Sequence, residues 1–148
     1  MKLHLLEKLG IVLVLGLGAM LISPLRYALV GLVKHERFYQ HRPTSYWLKL
    51  LRDGDARYRQ WAARTLGDLG PEPGVVPALI EALNDKDLEV HRAVLQSLRT
   101  IGPAAKQAVP ALREALNHTD VETRELIGAA LTRIDPNAAA NAGAGGEP

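Results

Sequence analysis

The chain contains no cysteine, which excludes disulfides, thiolate metal sites and cysteine nucleophiles together. Net charge is also small, +2 over 148 residues, too little to point to nucleic acid. The five histidines, at 4, 35, 41, 91 and 118, supply no pair three or four apart on a helix, so no metal centre is expected. A calcium loop opening at Asp53 needs a glutamate twelve positions along, where Arg64 stands. Neither a nucleophile elbow nor a phosphate-binding loop occurs. No catalytic residues and no cofactor are expected, and the chain reads as non-enzymatic. Large apolar residues are missing from the last stretch, "PNAAANAGAGGEP". Residues 137–148 are therefore expected to be disordered, with nothing to repay the entropy of ordering.

What is present falls into two kinds of pattern. Leu9 to Leu25, "LGIVLVLGLGAMLISPL", is seventeen residues without a charge. As a helix it spans about 26 Å, and flanking apolar residues extend it towards the roughly 30 Å hydrocarbon core. Residues 1–34 are expected to form a single-pass membrane anchor and its flank. No Ala-x-Ala pattern precedes Arg26, so the anchor is expected to stay uncleaved. Basic residues are slightly more numerous after the helix than before it, which places the remainder of the chain on the cytoplasmic side. The glycines of "GLG" at Gly16–Gly18 read as small residues for helix packing and not as a phosphate loop.

The second pattern is a repeat. "LRDGDARYRQWAARTLGDLGP" begins at Leu51, "LNDKDLEVHRAVLQSLRTIGP" at Leu83 and "LNHTDVETRELIGAALTRIDP" at Leu116, steps of 32 and 33 residues. "VPALIEAL" from Val76 returns as "VPALREAL" from Val109, with a diverged counterpart, "SYWLKLL", from Ser45. Each unit reads as a helix pair. The first helices are expected over about 45–52, 75–84 and 108–117, with Pro77 and Pro110 in the opening turn, where a missing N–H costs nothing. The second helices follow Asp55, Asp87 and Asp120, each placed as an N-cap. They run to Leu69, Ile101 and Ile134, where Gly-Pro or Asp-Pro ends them. Three stripes recur at helical spacing: Tyr58, Ala62, Leu66 and Leu69; Val90, Val94, Leu98 and Ile101; Thr123, Ile127, Leu131 and Ile134. One pair cannot bury its stripe alone, so the pairs must stack. The expected architecture is all-α: an N-terminal membrane helix, then a three-unit α-solenoid over residues 44–136.

Pro-Ala-Leu, Leu-x-Asp-x-Asp, a hydrophobic-Arg step and Gly-Pro together resemble the HEAT-repeat family, in particular the short bacterial units of phycobilisome chromophore lyases. The resemblance covers about residues 44–136. It implies an armadillo-like helical solenoid used for protein binding, and a ladder of Asp and Arg side chains along it. Asp53 and Arg59 are placed to bridge the inter-helix turn of their own unit, while Asp85 with His91 and His118 with Arg124 leave the ladder incomplete. A chromophore-lyase subunit is the most remote function the resemblance offers, because no chemical constellation accompanies it.

Charge and aromatics are unevenly spread. Residues 37–64 hold seven Lys or Arg against two acids, and residues 65–148 hold seven against twelve. All seven aromatic residues lie between Tyr27 and Trp61. Arg26, Tyr27, Lys34, Arg37, Phe38, Tyr39 and Arg42 read as a membrane-interface group, with residues 35–43 as a basic, aromatic juxtamembrane linker open to anionic lipid. Arg57, Trp61, Arg64, Arg92 and Arg99 are expected to project from the second helices as a partner-binding face. Trp61 has Ala93 and Leu126 as counterparts, so the stack does not need an aromatic there; it either caps the solenoid or anchors a partner. The expected function is a membrane-anchored scaffold or adaptor, with a structural accessory subunit of a larger membrane complex as the alternative.

Overall fold

A computed structural model of the chain describes residues 37–117 and 120–143. The chain divides into two compact units, residues 1–45 and 46–148. The expected anchor, with Arg26, Tyr27 and Lys34, lies outside the described residues, as do His118 and residues 144–148. Among the described residues, no helix is long and apolar enough to cross a membrane.

The described part of the first unit is not a plain linker. Phe38–Tyr39 (β1) and Arg42–Pro43 (β2) pair antiparallel, with Phe38 opposite Pro43 and Tyr39 opposite Arg42. Gln40 and His41 connect them with φ of 48° and 61°, the left-handed pair that a two-residue hairpin turn requires. Neither residue is the Asn or Gly that usually signals such a turn, so an all-α expectation missed it. The Thr44 N–H and hydroxyl both donate to the Arg37 carbonyl, at 3.0 and 3.2 Å, which closes the hairpin base.

Three helix pairs follow. The first helices are α1 (Thr44–Asp53), α3 (Val75–Ala82) and α5 (Val109–Ala115). The second helices are α2 (Ala56–Leu69), α4 (Leu88–Ile101) and α6 (Val121–Ile134). The predicted caps form. Asp55 accepts the Tyr58 N–H at 3.1 Å, Asp87 those of Glu89 and Val90 at 3.0 and 3.2 Å, and Asp120 that of Thr123 at 3.0 Å. Each carboxylate satisfies donors that the first turn leaves open. Gly70 and Gly102 end α2 and α4 with φ of 84° and 66°, a backbone that a side chain resists. A 3₁₀ segment, Gly102–Ala108, leads into α5.

Most of the predicted stripes are the core. Ala62, Leu66 and Leu69, Val90, Val94 and Leu98, and Thr123, Ile127, Leu131 and Ile134 are all buried. Ile101 is half-buried, and Tyr58 is 52% exposed. Its Cβ lies against Gly54 and its ring reaches solvent, whereas Val90 and Thr123 at the same repeat position are buried.

Helix α2 packs on α4 along more of its length than α4 packs on α6. The cause is the size of the contact residues. Ala62, Ala63 and Ala93 are buried between the helices, and a methyl placed on Gly67 would stand 2.7 Å from Ser97 Cβ and 2.8 Å from its Cα. Ser97 is buried, with its hydroxyl 2.8 Å from the Ala63 carbonyl across the interface and 2.7 Å from the Ala93 carbonyl of its own helix.

The expected disordered tail is partly helical. Helix α7 spans Pro136–Gly143 and packs on α6. Asp135 caps it, accepting the N–H groups of Asn137 and Ala138 at 3.1 and 3.2 Å. Proline in the opening turn and alanine as the strongest helix former complete the local signal. Capping and alanine propensity form this helix without large apolar residues.

Gly67→Ala is expected to destabilise the chain by about 2 kcal/mol, the scale of overpacking in a close-packed core. Urea unfolding followed by far-UV circular dichroism measures it. Adding Ser97→Gly should recover only part, because Ser97 Cα is itself too near.

Candidate interaction surface

The charged residues sort into those bonded within the fold and those left over. Arg59 is the most firmly held. Its Nε and one terminal nitrogen donate to the two Asp85 oxygens at 2.6 and 2.8 Å, and its other terminal nitrogen donates to the Gly54 carbonyl at 3.0 Å. Both side chains are largely sheltered, 14% and 11% exposed. The geometry is the planar fork on a carboxylate, and it links one repeat to the next. Asp53 does not bridge to Arg59 as the sequence suggested. It pairs with Lys49 at 2.6 Å, one turn back along α1. The separation of six residues within one unit was misleading, since the acid that meets Arg59 comes from the following turn.

The Arg59 fork holds the Asp85 carboxyl below its ordinary 3.8, against the opposing effect of burial, with help from the Asp87 N–H. The next repeat offers His91 where Arg59 stands. Burial pushes that imidazole below 6.5, while Asp120 and Asp85 pull it back.

A second line of bonds crosses the exposed side of the second helices. Gln60 on α2 donates to Glu89 on α4 at 3.4 Å. Arg92 then donates to Glu89 at 3.0 Å and to Glu122 on α6 at 2.7 Å. Arg92 therefore ties α4 to α6. Farther along, Lys106 and Asp135 approach to 3.4 Å.

The remaining predicted residues are placed differently. Arg57, Trp61 and Arg64 lie on one exposed face of α2 at helical spacing, and neither arginine has an ion pair among the described residues. Trp61 meets Trp47 edge-on, with ring centroids 4.9 Å apart and planes at 79°. Trp47 is 1% exposed and Trp61 42%, so one side of Trp61 covers a core ring while the other faces solvent. Arg99 is brought together not with the α2 group but with Arg133, across a groove between α4 and α6. Arg133 escaped the sequence reading because its repeat counterparts, Asp68 and Thr100, share no chemistry with it. The predicted interface residues Arg37, Phe38, Tyr39 and Arg42 belong to the hairpin, where Phe38 is 43% exposed.

The fold is an α-solenoid, and comparison with known proteins names its class. A model of HEAT repeats matches residues 44–132, more than half of the chain. The protein belongs to the HEAT-repeat family. The match is to HEAT repeats at large and does not narrow to the chromophore-lyase type. Among solved structures, the chain is similar to the crystal structure of an engineered protein, at 26% identity and a TM-score of 0.54. That similarity covers 68% of this chain and 51% of the other, so the chain spans about half that protein's length. No curated protein matches.

Asp85→Asn is expected to cost about 2 kcal/mol, because it leaves the Arg59 fork without its charged acceptor. The carboxylate's lowered value makes its contribution complete above 3.8 and lost as pH falls below it. The variant should therefore lose less stability than the parent on acidification in that range. His91, with its value depressed, adds a separate loss as pH falls below 6.5, which His91→Gln should remove. Denaturant midpoints across pH read both. Trp61→Ala is expected to cost about 1 kcal/mol. With only two tryptophans in the chain, Trp47 emission should shift to the red as its ring is uncovered.

Proposed function

We propose that this protein is a membrane-anchored interaction module that engages another protein through the exposed face of its first second-helix. The observation that carries the reading is the trio Arg57, Trp61 and Arg64. HEAT-repeat solenoids in general mediate protein interactions, and this face is where the chain departs most from its own repeat. The positions of Arg57 hold Glu89 and Glu122 in the other units, those of Trp61 hold Ala93 and Leu126, and those of Arg64 hold Gln96 and Ala129. Repeat packing does not require a basic, aromatic group there. A half-exposed indole between two arginines suits a partner that offers an apolar side chain beside acidic ones.

The anchor rests on the uncharged run from Leu9 to Leu25, and the basic excess that follows it puts the solenoid on the cytoplasmic side. Arg37, Phe38 and Arg42 would then lie close to headgroup level, within reach of anionic lipid. The partner in this arrangement is itself a membrane protein or a complex at the membrane surface.

Cross-linking in native membranes, followed by mass spectrometry, tests the reading. A partner cross-linked through α2, and lost when Trp61→Ala is combined with Arg64→Gln, is the expected result. An unchanged cross-link pattern would sink the proposed face, and constant stoichiometry through purification would mark a permanent subunit. For topology, Lys106→Cys introduces one thiol into a chain without cysteine. It should resist a membrane-impermeant maleimide in intact cells and react after permeabilisation. Labelling before permeabilisation would reverse the orientation.

A further inference from the structure

The two interfaces between second helices differ, and the difference opens a site. Where α2 meets α4, Gly67 lets the backbones close onto Ser97. The same repeat positions where α4 meets α6 are Arg99 and Ala130. An arginine cannot occupy the slot that a glycine leaves, and α4 packs on α6 less extensively than on α2. Between α4 and α6 lies a groove of about 700 Å³ lined by Gln96, Arg99, Thr100, Ala129, Thr132 and Arg133. The Arg92–Glu122 bond at 2.7 Å holds the N-terminal halves of the same helices together, so the groove has a fixed end.

The donor inventory of this groove is one-sided. The Thr100 hydroxyl donates to the Gln96 carbonyl at 3.0 Å, and the Thr132 hydroxyl to the Gly128 carbonyl at 2.8 Å. Those protons are spent within their own helices. What the lining still offers is the Gln96 amide and two guanidinium groups, neither with an acid partner among the described residues. The Arg133 stem runs beside Gly102 at the end of α4, which limits its freedom. No carboxylate lines the groove, although residues 65–148 carry twelve acids against seven Lys or Arg. Two unanswered arginines in an acidic body call for a short, local anion. No large apolar or aromatic residue lines the groove to receive a lipid tail.

We propose that the groove between α4 and α6 binds an acidic segment of a partner protein, with Arg99 and Arg133 each taking a carboxylate. The proposal rests on the reading of the chain as an interaction module and adds a second subsite, separate from the α2 face. The planar fork of each arginine suits the two oxygens of Asp or Glu. The small side chain of Ala129 and the missing one of Gly128, where an added methyl meets nothing, leave room for a backbone to lie across α6.

The test uses the full chain in a neutral detergent and a fluorescent hexaglutamate peptide, with hexaglutamine as control, read by anisotropy. Hexaglutamate should bind and hexaglutamine should not. Arg99→Gln or Arg133→Gln should weaken binding about tenfold, the loss of a charge-assisted pair. Arg113→Gln, an exposed cation on α5, should leave it within about twofold. Both groove arginines are exposed, so circular dichroism should be unchanged. Equal binding of the two peptides, or equal loss from Arg113→Gln, overturns the groove. So does loss on Arg57→Gln with Arg64→Gln alone, which would put the acidic segment on the α2 face and leave the proposed function standing.

Discussion

The close approach of α2 and α4 at Gly67 and Ser97 is the constraint on which the other contacts depend. Helix backbones come this near only where the intervening residues are Gly, Ala and Ser. Once they do, the next repeat's turn is brought within reach of the preceding repeat's arginine. The Arg59–Asp85 fork closes one side of that interface and the Gln60–Glu89 contact the other. Packing decides the spacing, and the polar bonds fix the register. At the second interface Arg99 and His91 stand where the first has Gly67 and Arg59. The second is held by Arg92 at one end and by Lys106 with Asp135 at the other, and it opens between them.

The same division explains the charges. The basic excess of residues 37–64 looks like one feature in the sequence, yet in the fold its members have different work. Lys49 and Arg59 answer carboxylates within the structure, and Arg52 lies within 4.0 Å of Glu81. Arg57 and Arg64 remain, and they flank the one indole that is both packed and exposed. The face proposed for a partner is thus what stays when internal pairing has been satisfied.

How much of this could be read from the sequence follows from how local each cause is. Asp55, Asp87 and Asp120 announce their helices because a cap needs only a carboxylate and the N–H groups two or three residues on. Gly70 and Gly102 end them for equally local reasons. The stripes follow from period alone. By contrast, Arg59 finds its acid 26 residues away, and no spacing within one unit reveals that. The Gln40–His41 turn adopts left-handed angles without Asn or Gly, so composition gave no sign of a hairpin. Helix α7 was hidden by a correct observation, the lack of large side chains, applied where capping and alanine propensity decide. Arg133 acquires meaning only when its helix is set beside α4.

The replacement of Arg59 by His91 at the second interface has a mechanical consequence. A load applied along the stack, or a partner wedging between helices, meets unequal compliance. The α2–α4 contact resists because shear there must pull Ser97 off the Ala63 carbonyl and Arg59 off Asp85 together. The α4–α6 contact is shorter and has neither of those two bonds to break; the exposed Arg92–Glu122 pair is what crosses it.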